Sequence, residues 1–280
     1  MTALPTGLFG RQVAVEIGPE GGVGLRLPDL RVSFHVQFKA AKTMATATIR
    51  VYNPAPASVA LLRAPLSTIR LFAGYAPLPR LLFAGPPVKD GIDLKVDGPD
   101  QILDVDAADG GTGYSAFLQL SFATATTFGQ VLNVVLAQTR WSLGFIDPRV
   151  NAVVLPHGIV LVGRPAEVMD RLAASVPVFG ADWFVRDNSV YVVVRGGSTP
   201  EVAPLLSALA GNLVGSPNGT KKGIKVRALI DATMRPGRSF VLQSKAWNGV
   251  FVAKDVTFTG DSGYANDYWM DITGVPVGVP

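Results

Sequence analysis

The stretch Gly223-Ile224-Lys225-Val226-Arg227-Ala228-Leu229-Ile230 sets Ile224, Val226, Ala228 and Ile230 in alternation with Lys225, Arg227 and Leu229. A period of two puts successive side chains on opposite faces of a strand, so one face meets a core. Downstream, Arg235-Pro236-Gly237 reads as a turn, because proline presets φ and glycine accepts the positive φ that follows. Ser239–Gln243 is a strand, and Asn248-Gly249 predicts a tight hairpin back to Val250-Phe251-Val252. Val256, Phe258, Tyr268, Met270 and Ile272 continue the alternation around a turn at Gly260–Gly263. Residues 201–280 therefore form a small all-β unit without a catalytic layout.

The same logic governs the N-terminal part. Val13–Ile17 is a strand, and the glycine-rich segment Gly18–Gly24 follows it. That segment is not a dinucleotide loop: no third glycine stands at the required spacing, and Pro28-Asp29 follows where a helix would have to start. Val32, Phe34, Val36 and Phe38 alternate strictly with Ser33, His35, Gln37 and Lys39, and Ala47, Ile49 and Val51 answer on a return strand. Pro56 opens a short helix over Ala57–Arg63. Strands follow at Ile69–Leu71 and Leu82–Gly85. Ile92, Leu94 and Val96 then alternate with Asp93, Lys95 and Asp97, and Ile102–Ala107 pairs back across Asp97-Gly98-Pro99-Asp100. The first β unit spans 1–109.

Between these units the period changes. Thr127 is an N-cap for a helix whose Phe128, Val131, Leu132, Val135 and Leu136 share a face. Leu143–Ile146 and Val153–Val162 read as strands. Pro165 opens a second helix with a stripe of Val168, Met169, Leu172, Ala173 and Val176. Asp182–Arg186 and Val190–Val194 form a hairpin over Asp187-Asn188. Residues 110–200 are thus an α+β insert, and Gly196–Pro204 is the linker leaving it. Trp141, Trp183 and Tyr191 offer stacking surfaces for a saccharide, but their apolar strand context favours the core.

Two orders of motif carry a resemblance. In the C-terminal unit it is Gly215-Ser216-Pro217, Thr220, Gly223-Ile224, Arg235-Pro236-Gly237, Asn248-Gly249-Val250-Phe251, Asp255-Val256 and the closing Tyr268-Trp269. In the N-terminal unit it is Tyr52-Asn53 with Pro56, a helix ending in Leu61-Leu62, Ala73-Gly74-Tyr75 and Phe83-Ala84-Gly85. This order resembles the baseplate hub proteins of tailed bacteriophages, the late-control protein D family in the broad sense. The resemblance covers most of the chain and implies a mainly β fold in which two tail-tube-like β-barrel domains flank a small α+β domain on the periphery. It further implies a homotrimer whose six β domains form a pseudo-six-fold ring between the six-fold tail tube and the three-fold central spike. The partners it implies are the tail spike protein, the tail tube or distal tail ring protein and the tape-measure protein. DNA passes through such a channel without sequence-specific binding, and the place of assembly is the virion tail baseplate, built in the bacterial cytoplasm.

Composition agrees with a structural role. Charged residues are only 16% of the 280, and mean hydropathy is +0.32, so apolar surface is left for an oligomeric partner to cover. The most apolar stretch, Val153–Val162, is broken by Pro156 and His157, and the N-terminus lacks the basic and apolar regions of a signal peptide, so no membrane insertion is expected. Cysteine is absent and histidine is limited to His35 and His157, which leaves no thiolate chemistry and a poor basis for a zinc site. Asp104, Asp106 and Asp109 form the only carboxylate cluster of note, read as a solvated acidic edge. No catalytic, cofactor or metal site is expected. A tail-associated cell-wall hydrolase, the enzyme alternative, lacks its catalytic set here; a contractile injection or secretion component is the structural alternative.

Charge is segregated along the chain. Arg31, Lys39, Lys42, Arg50, Arg63 and Arg70 precede a run of Asp90, Asp93, Asp97, Asp100, Asp104, Asp106 and Asp109, and a basic stretch over 221–254 precedes Asp255, Asp261, Asp267 and Asp271. Lys39, Lys42, Lys225 and Arg227 are expected to face the ring above or the lumen, and residues 1–109 and 201–280 to be two related ring segments.

Overall fold

The computed structural model describes residues 10–19, 22–27, 30–39, 43–77, 79–109, 111–221, 223–263 and 267–278. The chain begins with β1 (Arg11–Pro19), β2 (Leu25–Leu27), β3 (Val32–Lys39), β4 (Thr46–Tyr52), α1 (Pro56–Arg63), β5 (Ser67–Tyr75), β6 (Arg80–Gly85), β7 (Pro87–Asp97) and β8 (Asp100–Ala108). A middle segment holds α2 (Gly111–Tyr114), β9 (Leu118–Phe122), α3 (Phe128–Thr139), β10 (Ser142–Ile146), α4 (Pro148–Asn151), β11 (Ile159–Gly163), α5 (Pro165–Ala174), β12 (Ala181–Arg186) and β13 (Ser189–Val194). The chain closes with β14 (Leu205–Ser207), β15 (Asn218–Thr220), β16 (Gly223–Ala228), β17 (Ser239–Gln243), β18 (Asn248–Asp261) and β19 (Tyr268–Pro276). The fold is mainly β, with several sheets and a small α+β middle.

One sheet organises the molecule. Its strands run β7-β8-β4-β3-β18-β19-β16-β15, and β17 and β14 extend it beside β18. The first four come from one end of the sequence and the last four from the other. They meet where β3 pairs antiparallel with β18, Phe38 opposite Val256 and Phe34 opposite Gly260. Each quartet consists of two hairpins, β3–β4 and β7–β8 in one, β15–β16 and β18–β19 in the other. In both, the later hairpin of the chain lies first and the earlier one second when the sheet is crossed in the same direction. All neighbours on this path are antiparallel, so strand directions repeat as well.

The alternating residues form the buried face. Val32, Phe34, Val36, Phe38, Ala47, Ile49 and Val51 join Ile224, Val226, Val256, Phe258, Met270 and Ile272 in one apolar cluster. A second sheet, β2-β1-β5-β6, supplies Val15, Ile17, Ile69, Leu71 and Leu82 to the same cluster, and α1 adds Val59 and Leu62. Edge-to-face ring pairs lock the seam, Phe38 on Phe258 at 6.0 Å and Phe34 on Tyr268 at 6.2 Å between centroids.

The middle segment has its own core. Thr127 caps α3 through a reciprocal box with Gln130, and Phe128, Val131, Leu132 and Val135 are buried against Val168, Met169 and Leu172 of α5. Trp141 and Trp183 lie inside this core, 3% and 4% exposed, so they are packing residues; Trp183 Nε1 donates to Asp170 at 2.8 Å. Tyr191 is partly covered, stacked on Phe184 with Arg186 above its ring.

Three local expectations differ from the structure. Val153–Val162 is not one strand: α4 precedes it, Val154 forms only an isolated bridge with Thr127, Pro156 and the following residues interrupt it, and Ile159 onwards pairs with β9, a strand whose short Leu-Gln-Leu pattern was too brief to announce itself. The β17–β18 connection is a four-residue loop, Ser244–Trp247, closed by Ser244 N donating to Asn248 Oδ1 at 3.0 Å. Asn248-Gly249 belongs to the strand that follows, and Gly249 holds φ +149°. On β7 the apolar face is open: Leu94 and Val96 are 38% and 75% exposed, because β7 is the last strand of the sheet and overhangs the core.

Candidate functional surface

The face of the large sheet opposite the core carries mostly polar side chains. Because register fixes which side chains stand together, rows of partners can be read from strand to strand. One row runs Lys225, Thr273, Asp255, Lys39. The next runs Arg227, Asp271, Thr257, Gln37, Thr46, and a third runs Trp269, Thr259, His35, Thr48, Asp106. A fourth contains Asp261, Ser33, Arg50, Asp104 and Asp93.

Lys39, Lys225 and Arg227 all lie exposed on this face, brought together by the β3–β18 seam despite almost two hundred residues of separation. Lys42 falls outside the described residues. Three cations of this face, Arg227, Arg50 and Lys95, are matched by aspartates. Arg227 donates through Nε and Nη2 to Asp271 at 2.8 and 3.0 Å and lies 4.4 Å from the Trp269 ring centroid. Arg50 Nε donates to Asp104 at 2.6 Å, and Lys95 Nζ donates to the other Asp104 oxygen at 2.9 Å. These donors, Arg50 first, hold the Asp104 carboxyl below its ordinary range against the opposing effect of burial. Lys39 stands opposite Asp255 in register.

The other candidates take structural places. Asp106 accepts from Thr48 Oγ1 at 2.7 Å on the open face. His35 Nδ1 lies 3.3 Å from Thr259 Oγ1, with Gln37 Nε2 2.8 Å from its other nitrogen. Asp109 is elsewhere: it leaves the end of β8 toward the middle segment, and burial first, then the nearby Asp187 charge, pushes its carboxyl up to about 6. The three aspartates therefore do not converge. Among the described residues no group of three or more histidine, cysteine, aspartate or glutamate side chains could hold a metal ion, and no helix is long and apolar enough to cross a membrane. Sequence reasoning missed Asp271 and Asp104 as partners of Arg227, Arg50 and Lys95, since only the strand register pairs them.

Comparison with solved structures places this architecture. The 43 kDa tail protein of prophage MuSo2 from Shewanella oneidensis superposes with a TM-score of 0.64 at 9% identity, over 95% of this chain and 98% of that one. The chain has the fold of phage tail proteins. The tail protein from Neisseria meningitidis MC58 gives 0.65 at 11% identity, covering 97% and 98% of the two chains. The E. coli c3393 protein, a component of the type VI secretion system with structural similarity to the T4 tail proteins gp27 and gp5, gives 0.56 at 12% identity over 89% of this chain and 73% of that one. No family model matches the chain, and no curated protein does.

Proposed function

We propose that the chain is a structural baseplate hub of a phage tail: a homotrimer forming a pseudo-six-fold ring that joins the six-fold tail tube to the three-fold central spike and encloses the channel for DNA. The observation that carries this reading is the repeated quartet of strands along one sheet. The β3–β18 seam joins one quartet to the next inside the chain. At the ends of the sheet, β15 corresponds in position to β3, and β7 to β18. A β15 edge laid against the β7 edge of the next copy repeats the seam, and a head-to-tail contact of this kind closes into a ring when its rotation allows. The overhanging Leu94 and Val96 are the apolar side chains such a neighbour would cover.

The polar face then lines the channel, with Lys39, Lys225 and Arg227 at the ring or lumen surface. Its chemistry suits a wall past which a polyanion moves. Arg50, Lys95 and Arg227 are already paired with aspartates and so add little grip on phosphate, whereas each unpaired contact would add salt-sensitive affinity. Residues 1–109 and 201–280 are the two ring segments, and 110–200 is the peripheral unit. The tail spike protein, the tail tube or distal tail ring protein and the tape-measure protein are the partners of such a ring. The similarity to a type VI secretion component favours a second reading, a hub of a contractile injection or secretion system. Light scattering tests the assembly: the trimer reading requires three times the 29.5 kDa chain mass, and a monomer at all concentrations overturns it.

A further inference from the structure

The middle segment touches the β body through few and mostly polar contacts. Their apolar clusters share no residue. At the centre of the contact is Arg235, 6% exposed. Its Nη2 donates to Leu82 O of β6 at 2.7 Å and its Nη1 to Ala232 O and Met234 O at 2.6 and 3.0 Å, while its guanidinium lies 4.3 Å from the Phe38 ring centroid. These contacts bind it to both ends of the sequence. Its Nε points at the middle segment, where Asp187, at the tip of the β12–β13 hairpin, places Oδ2 3.5 Å away. Beside it, Asn188 N donates to Asp109 Oδ2 at 3.3 Å.

The rest of the contact is equally sparse. Thr199 N donates to Gly237 O at 2.9 Å, Lys254 Nζ lies 3.6 Å from Asp182, and Arg186 pairs with Glu201. Phe184 rests on Gly237, where an added Cβ would stand 2.0 Å from the ring. The return connection runs through Gly196, at φ +70°, and Gly197. At this junction Arg235 Nε and Asn188 Oδ1 are buried without a hydrogen-bond partner. A permanent interior satisfies such groups, so a contact that leaves both unmet is held by less than a core is.

We propose that the middle segment is a latched arm, which undocks from the β body as one rigid piece, with Asp187 seated on Arg235 as its latch. The two-residue turn Asp187-Asn188 presents the carboxylate, both residues taking positive φ, 49° and 56°. Undocking exposes the polar junction while leaving both apolar clusters intact.

Asp187→Asn tests this. Asparagine keeps the size and tolerates the same backbone conformation, so the hairpin survives and only the charge is lost. Hydrogen exchange on the full chain should then show the Asn188 position and Thr199 exchanging faster, by about tenfold, while α3, α5 and β3 keep their protection. Limited proteolysis should cut the return connection, residues 195–204, earlier in the variant and leave two resistant pieces. Unchanged exchange at the junction overturns the latch. Exchange rising in α3 and α5 together with the junction overturns the rigid arm, because the segment would then be unfolding instead of undocking.

Discussion

Asp109 provides a quantitative test of the junction between β body and middle segment. Its carboxyl is raised from 3.8 to about 6, chiefly by burial and then by the Asp187 charge, with hydrogen bonds from Asn188 and Asp187 backbone and the Arg235 charge opposing. A raised folded-state value means that the folded chain prefers the protonated carboxyl. The associated stabilisation is fully present below the unfolded value near 3.8 and is lost as pH rises through about 6. A shift of roughly two units corresponds to about 3 kcal/mol between the two ionisation states, and partial exposure trims this to about 1–2 kcal/mol. Asp109→Asn removes the charge while retaining an oxygen to accept from Asn188 N. The variant should match the parent at pH 4 and exceed it by about 1–2 kcal/mol at pH 8. Urea denaturation of both proteins from pH 4 to 8 measures the difference. A variant that is less stable at pH 8, or a difference independent of pH, refutes the reasoning.

Other outcomes follow from single features. Gly249→Val puts a β-branched residue at φ +149° and should lower stability by roughly 1 kcal/mol or more, seen as a lower Tm. Thr127→Ala removes one side of the α3 capping box and should lower stability by about 1 kcal/mol in urea titration. Phe258→Ala deletes a fully buried ring at the seam between the two ends of the chain and should destabilise by about 3–5 kcal/mol in denaturant. Val96→Lys changes an exposed position on the overhanging edge, so it should reduce the oligomeric mass in light scattering without changing the monomer's melting behaviour.

Local patterns were legible where burial and period coincide. Val32–Lys39 reads as a strand because its apolar residues all face one cluster, and Thr127 reads as a cap because Gln130 completes its box. Asn248-Gly249 misled, since its preference for positive φ served one strand residue while Ser244 closed the loop. Ile92, Leu94 and Val96 alternate like a buried strand, yet alternation records which face is apolar, not whether anything covers it. The β3–β18 pairing spans more than two hundred residues and leaves no local trace. In the same way Arg227 and Arg50 could be singled out from the sequence, but not their partners Asp271 and Asp104, which meet them only through strand register.

The ring itself is tested most directly by electron microscopy of the purified protein. Three copies should surround a central opening with six similar β lobes, the sheet bearing Lys39, Lys225 and Arg227 turned inward and the middle segments outside. Isolated chains, or a ring whose opening is lined by the middle segments, would contradict the account.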